Sequence, residues 1–396
     1  MAAVLAAVLA AVLAAVTAPV AVRPAGAAYG TTSWSPSGVT APAVPGTVPE
    51  GAGRAFVLRY EVDAADGRRR PATGLVLVPP GPMPAAGWPL VVYGHMTTGA
   101  ADRCAPSSGR VPPGDDLRRA EQGDALTTRL LSAGVAVARP DFEGLGVAGG
   151  HPYLMGGSLG ESMVAMVAAT SRVLPLEGRW VAAGHSEGAV AAMNAGDRRR
   201  RSPAGLRLVG IEAITPVTRM ERLIEVLQGV PVVVPEATPV LTGLAALLLK
   251  GLSVQSPAFK RLLLQEGGLS DRARAVWPHL ERRCLAGLGE ADSWGGLAPA
   301  EILGPRGQEA SRLLRDHLAR TDVRRLPLRP VPVRIEEGLL DAVAPAPFTE
   351  LLARELGDRG VDVTLARWAA DHSGTNSETY AVPAAAAWIL ARLGVG

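Results

Sequence analysis

Residues 179–193 read Arg-Trp-Val-Ala-Ala-Gly-His-Ser-Glu-Gly-Ala-Val-Ala-Ala-Met, and their order decides the fold. The run 179–183 is short and apolar, as a buried strand is, whereas the small residues from Ala189 onward suit a helix. Between them stands Gly184-His-Ser-Glu-Gly188, a G-x-S-x-G pattern. Its serine occupies a sharp turn between strand and helix, and the flanking glycines let neighbouring backbones pass closely enough to present the hydroxyl. The start of the following helix favours negative charge developing beside it.

Outward from this turn, strands and helices alternate. Strands are predicted over 54–62, 73–78, 88–93, 135–139 and 206–213, with helices over 115–131 and 159–169 between them. This alternation predicts an α/β fold, a mostly parallel central sheet with helices on both faces. From about residue 218 to 325 the strand pattern gives way to leucine-rich helical segments, expected to form an inserted cap. Within it, 241–249 is too short to span a membrane and is followed by Lys250, so it is expected as a buried or amphipathic helix. Strands over 331–335 and 361–367 resume the sheet, and a helix over 383–393 closes the chain. The expected division is therefore a segment 1–28, a linker 29–53 rich in Pro, Ser and Thr, and a domain 54–396 carrying the cap. No repeated unit is present.

A serine hydroxyl needs a base to remove its proton, and the base needs a third group to hold it. Six histidines are available. His185 adjoins Ser186 and is expected to project away from it; His95 and His151 precede the motif in loops; His279 and His317 fall in the insertion. His372, just beyond the last strand, is where a returning loop reaches the serine. Asp341, in Gly338-Leu-Leu-Asp341 beyond the preceding strand, is the acid that would fix the imidazole tautomer. Asp371 is too close in sequence to bond the neighbouring ring, and Glu336 and Glu337 lie nearer the strand than the loop. The order Ser186, Asp341, His372 is the one an α/β-hydrolase uses. Backbone N–H groups of Glu187 and of Thr97, in Gly94-His-Met-Thr-Thr-Gly99, are the expected oxyanion donors.

Two further matches are decoys. Gly156-Gly-Ser-Leu-Gly160 has no strand before it, and Ser158 with Glu161 fits a capping box at a helix start. Gly144-Leu-Gly-Val-Ala-Gly149 satisfies G-x-G-x-x-G but runs into Gly150-His-Pro152 instead of a helix, which argues against a dinucleotide site.

With 48% hydrophobic residues, 19% charged and a net charge of +3, the chain has no electrostatic bias toward nucleic acid or acidic membranes. The basic run 198–201 lacks interleaved aromatics and is expected as a solvated turn. Residues 1–22 are an uncharged Ala/Val/Leu-rich run, followed by Arg23-Pro24 and small residues up to Ala28. This predicts a secretory signal cleaved near Ala28, with a retained membrane anchor as the alternative. In an oxidising compartment Cys104 and Cys284 would tend to pair, with two unrelated buried thiols as the alternative. Metal-ligand spacing is missing, so no metal site is expected.

Taken together, several segments resemble the secretory lipase family, from about residue 54 to the C terminus. The resemblance rests on Tyr93-Gly-His-Met-Thr-Thr-Gly99 with Ala101-Asp-Arg-Cys-Ala-Pro-Ser107, and on Asp141-Phe-Glu-Gly-Leu-Gly146 with His151-Pro-Tyr-Leu154. It rests equally on Gly184-His-Ser-Glu-Gly188, on residues 338–341 and on Asp371-His-Ser-Gly374. Met96 departs from the glycine common in bacterial relatives, and Val343-Ala-Pro345 lacks some of the usual residues after the acid. The resemblance implies hydrolysis of triacylglycerols or simpler carboxylic esters. It also implies a helical cap over the acyl site between the sixth and seventh strands, and a disulfide between Cys104 and Cys284.

The expected enzyme is a secreted serine esterase or lipase that works through an acyl-enzyme without metal or organic cofactor. Its leucine-rich insertion, 241–252 above all, would supply an apolar acyl pocket, or else simply a second small core. Its partners would be ester substrates and, transiently, a lipid interface, with no nucleic acid; the sequence does not set its oligomeric state. The alternatives are an acyltransferase or peptidase using the same three residues, and a non-catalytic surface binding protein that keeps the fold.

Overall fold

The strands of the described residues join in one nine-stranded sheet. In chain order they are β1 (Thr40–Pro42), β2 (Arg54–Asp63), β3 (Arg69–Val78), β4 (Trp88–Gly94), β5 (Ala136–Pro140), β6 (Leu176–His185), β7 (Arg207–Ile214), β8 (Val333–Gly338) and β9 (Val363–Trp368). In space the order is β1-β2-β3-β5-β4-β6-β7-β8-β9. Strands β1, β2, β3 and β5 pair antiparallel in succession, and every pair from β5/β4 to β8/β9 is parallel. The molecule is a computed structural model and describes residues 40–64, 67–228 and 238–395. The apolar segment 1–28 and its expected cleavage point lie outside the described residues.

The parallel half is covered on both sides, which is why its strands read as unbroken apolar runs. Along β4, Val91 and Tyr93 face a layer formed by α2 (Asp124–Ser132) and α12 (Ala381–Leu393), through Leu126, Leu130, Val382 and Ile389. Leu90 and Val92 lie in the opposite cluster with Leu159, Met163 and Met166 of α3 (Gly156–Val173) and Ala189 and Val190 of α4 (Glu187–Ala195). The period of two along a strand thus fills two layers from one segment.

Two expectations need correction. Part of the supposed linker is β1, pairing Thr40 with Leu58 at the sheet edge, a place where Pro42 costs no interior ladder bond. The helix expected over 115–131 is two, α1 (Asp115–Ala120) and α2. The break lies at Gly123, where a Cβ would stand 2.2 Å from the Tyr93 ring; only glycine permits that approach. The cap lies between β7 and β8, the sixth and seventh of the strands predicted from the sequence, which β1 precedes.

The cap contains α5 (Met220–Gln228), α6 (Thr238–Gln255), α7 (Pro257–Gln265), α8 (Asp271–Val276), α9 (Leu285–Leu288) and α10 (Gly307–Thr321); α11 (Ala346–Asp358) follows β8. Leu247, Leu248, Leu249 and Leu252 of α6 are buried in one cluster with Leu262, Leu263, Trp277, Leu285 and Trp294. Most of the leucines expected to line an acyl pocket are therefore buried in an apolar core that runs from the sheet into the cap, whereas Leu241 and Leu244 are only half-buried. No described helix is long and apolar enough to cross a membrane.

Candidate active site

The turn after β6 puts Ser186 at φ 58°, a left-handed conformation rare for a residue with a side chain. Three backbones crowd around it. A Cβ on Gly184 would stand 2.2 Å from the Gly188 carbonyl oxygen, and one on Gly188 would stand 1.9 Å from that of Gly94. The two motif glycines are therefore required by contact between β6, α4 and β4. The Ser186 N–H donates to the Ile214 carbonyl at 2.9 Å, which fixes the turn to β7.

The structure brings the three residues singled out by the sequence into one hydrogen-bonded line. His372 Nε2 lies 2.8 Å from Ser186 Oγ. On its other side, His372 Nδ1 lies 2.7 Å from Asp341 Oδ2. The second carboxylate oxygen of Asp341 accepts the N–H groups of Val343 and Ala344 at 2.8 and 2.7 Å. Burial opposes charge on Asp341, but His372 and these two N–H groups together hold its carboxyl below the usual range. The acid is thus ionised and oriented, as a tautomer-fixing group must be.

The rejected candidates are elsewhere engaged. His185 donates from Nε2 to the His372 carbonyl at 2.9 Å; burial, then the neighbouring His372, push its pKa down to about 3, so it stays neutral. Asp371 accepts the Gly374 N–H. Glu336 takes Arg334 and the Trp368 indole, and Glu337 faces Arg367 at 3.3 Å. Beside Glu336, Glu212 on the next strand is fully buried; burial and the Glu336 charge raise its pKa, with Arg334 opposing.

Ser158 is no cap. Helix α3 begins at Gly156 after Met155, and the Ser158 hydroxyl donates to the Glu143 carboxylate. Glu161 instead meets Arg200 at 3.1 Å. Gly156 and Gly160 of this second motif serve packing, since a Cβ on either would stand 2.5–2.7 Å from Asn194 of α4. The run 198–201 is likewise not wholly solvated. Arg200 also donates to the carbonyls of Asn194 and Gly157, which staples α3 to the end of α4. The second decoy, Gly144–Gly149, is a turn in which Gly144 and Gly146 have φ 74° and 75°.

The expected oxyanion donors stand in matching places. Gly94 of β4 and Gly184 of β6 are register partners, and Thr97 and Glu187 each lie three residues beyond them. Both are buried, at 3% and 1% exposed. The Thr97 hydroxyl donates to the Tyr153 hydroxyl at 3.0 Å, and a Glu187 carboxylate oxygen lies 2.8 Å from His151 Nε2. Cys104 and Cys284 are joined, 180 residues apart in sequence, so loop and cap are bonded beside the site. Gly99 forms a bridge with Cys284, and the Leu285 N–H donates to the Thr98 carbonyl at 2.9 Å.

Two features have no sequence signal. Gln122, at the break between α1 and α2, donates to the carbonyls of Ser373 and Asn376, holding the loop that carries His372. Asn376 in turn donates to the Tyr93 hydroxyl and the Gln122 carbonyl. No cluster of potential metal ligands occurs among the described residues. Two surface cavities of about 200 and 360 Å³ are lined by Asp124, Arg139 and Asp141, and by Asp116 and Arg283, and neither includes a residue of the Ser186 line.

The family profile described as secretory lipase matches residues 120–395. No curated protein matches the sequence. Among solved structures, Candida antarctica lipase A in its closed state superposes with a TM-score of 0.67 at 18% identity, over 84% of this chain and 76% of that one. A point mutant of the rice cell wall degrading esterase LipA from Xanthomonas oryzae gives 0.65 at 20% identity, over 86% and 89%. Another structure of that esterase gives 0.63 at 21%, over 85% and 89%. At such identities the likeness establishes the fold.

Proposed function

Since the chain belongs to the secretory lipase family and is a carboxylic-ester hydrolase, we propose that it cleaves esters through Ser186, His372 and Asp341 by way of an acyl-enzyme. The observation that carries the proposal is the 2.8 Å contact between His372 Nε2 and Ser186 Oγ. With Asp341 on Nδ1, the ring carries its hydrogen there and turns an unprotonated nitrogen toward the serine.

His372 takes the Ser186 proton as Oγ bonds to the ester carbonyl carbon. The carbonyl oxygen becomes negative and is met by the N–H groups of Glu187 and Thr97. The intermediate collapses, the ester C–O bond breaks, and the departing alcohol takes the proton from the imidazolium. Water then loses a proton to His372, attacks the acyl carbon and releases the acid with Ser186 restored.

The names of the similar structures, a lipase and a cell wall degrading esterase, support ester substrates without choosing between them. Triacylglycerols or other fatty-acid esters are the proposed class, with the leucine-rich cap supplying the apolar acyl site. The family description and the disulfide support export, with residues 1–28 as its signal.

The test is a rate profile over p-nitrophenyl esters of graded chain length, with Ser186→Ala as control. Hydrolysis of the esters with loss of several orders of magnitude in the variant is expected. Comparable turnover by wild type and variant would refute the proposal.

A further inference from the structure

The turn between β5 and α3 carries two buried rings, and each points a polar atom at one of the two oxyanion residues. His151 is 0% exposed. Its Nδ1 lies 2.9 Å from the Glu143 carbonyl oxygen, which can only accept, so this nitrogen bears a hydrogen. Its Nε2 lies 2.8 Å from Glu187 Oε1, so a second proton sits between ring and carboxylate. Burial by itself would lower the His151 pKa, but the Glu187 and Glu143 contacts raise it above the ordinary histidine value. Ring and carboxylate thus share a proton in a hydrogen bond sealed from water, which cannot be broken without leaving a buried polar group unpartnered.

Two residues on, the Tyr153 hydroxyl accepts the Thr97 hydroxyl hydrogen at 3.0 Å. Pro152, between the two rings, has a φ fixed by its own ring, which sets their spacing. The cap leans on the same turn. A Cβ on Gly251 of α6 would stand 2.4 Å from the Tyr153 carbonyl oxygen, so the helix backbone lies directly against it.

We propose that His151 and Tyr153 are positioning residues, one clamping Glu187 and the other Thr97, so that both backbone N–H groups meet the ester oxygen as it becomes negative. The inference rests on the hydrolase function proposed above. Such donors act only if held in place before the charge develops. Glu187 needs a hold of its own, because the residue before it, Ser186, is in the unfavourable left-handed region and keeps that shape only where its surroundings impose it. A carboxylate in the first turn of a helix would otherwise find water; here it is drawn inward by His151.

The test uses a short soluble p-nitrophenyl ester and an alkyl trifluoromethyl ketone, whose adduct with the serine places a stable oxyanion between the donors. Tyr153→Phe and Thr97→Val are expected to lower kcat about 10-fold, a fraction of what losing a whole donor costs. KM should change less than about twofold, and ketone affinity should fall by the same factor as kcat. The double variant should be no worse than either single one, and Thr97→Ser should recover the wild-type rate. His151→Phe should lose more, about 100-fold; if it does not fold, Glu187→Gln, which removes the carboxylate held by His151, should lower kcat and ketone affinity together, and wild-type values in it would overturn that clamp.

Wild-type kcat and ketone affinity in folded Tyr153→Phe, or a change confined to KM, or failure of Thr97→Ser to recover, would overturn the inference. The function itself is judged separately. Ester turnover that Ser186→Ala abolishes leaves it standing whichever way these variants behave, and turnover indifferent to Ser186→Ala removes both.

Discussion

The floor of the site and the cap that joins it are held by different forces. The floor hangs on parallel register: Ser186, Asp341 and His372 follow the ends of β6, β8 and β9, and the strand pairings place them before any side chain acts. The cap packs around Leu263, Trp277 and Trp294, in an apolar core continuous with the one that lies on the α3 and α4 face of the sheet. Exposed ion pairs such as Arg306 with Glu266 and Glu309 decorate its surface. Beside that shared packing, it meets the floor through the Cys104–Cys284 bond, the Gly99–Cys284 bridge, the Asp116 carboxylate on the Ala286 N–H and the Gly251–Tyr153 contact. The side chains of the line thus sit where strand register leaves geometry least free to vary, whereas the cap is held by apolar packing and a few anchors.

The largest expected effect breaks the floor without touching the cap. Asp341→Asn should leave the protein folded but lower kcat by a factor on the order of 10⁴, because the imidazole loses its preferred tautomer. A loss below tenfold in steady-state kinetics would mean that Asp341 does not orient His372. Next comes the anchor. Replacing Cys104 and Cys284 by serine opens a loop of 180 residues and should cost up to about 5 kcal/mol by chain entropy. Hydrogen exchange should speed up in α6 to α9 while β4, β6 and β7 stay protected; equal acceleration in both regions would erase the distinction.

A smaller effect probes the floor's buried charge. Glu212 has a raised pKa, so the stability it contributes is present below the unfolded glutamate value of about 4.3 and is lost as pH rises through the folded value. Glu212→Gln should therefore match the wild type near pH 4 and exceed it in denaturant midpoint at pH 9. Parallel stability curves for the two proteins would mean that Glu212 ionises as readily in the folded protein as in the unfolded chain. Smallest of all, Arg306→Ala removes pairs whose side chains are about half exposed. It should shift stability by at most about 1 kcal/mol, and a larger fall in thermal unfolding would mean that surface ion pairs hold the cap.

What the sequence disclosed follows the same division. Ser186 was legible because strand, turn and helix are contiguous and leave a period in the chain. His372 and Asp341 were legible because each follows a strand in the order this fold requires. The pairing of Ser158 with Glu143, the stapling by Arg200, and the clamps of His151 on Glu187 and Tyr153 on Thr97 were not. Each joins side chains on separate elements, and nothing local marks a hydrogen bond whose partner arrives only with the fold. The split at Gly123 was hidden for a related reason, since the Tyr93 ring that demands it lies on another element.

The central claim is that His372 activates Ser186, and fluorophosphonate labelling followed by peptide mass mapping tests it most directly. The account predicts one adduct, on Ser186, formed rapidly by the wild type and at least about a hundredfold more slowly by His372→Ala. An adduct on Ser158, or labelling of Ser186 at the same rate with and without His372, would contradict it.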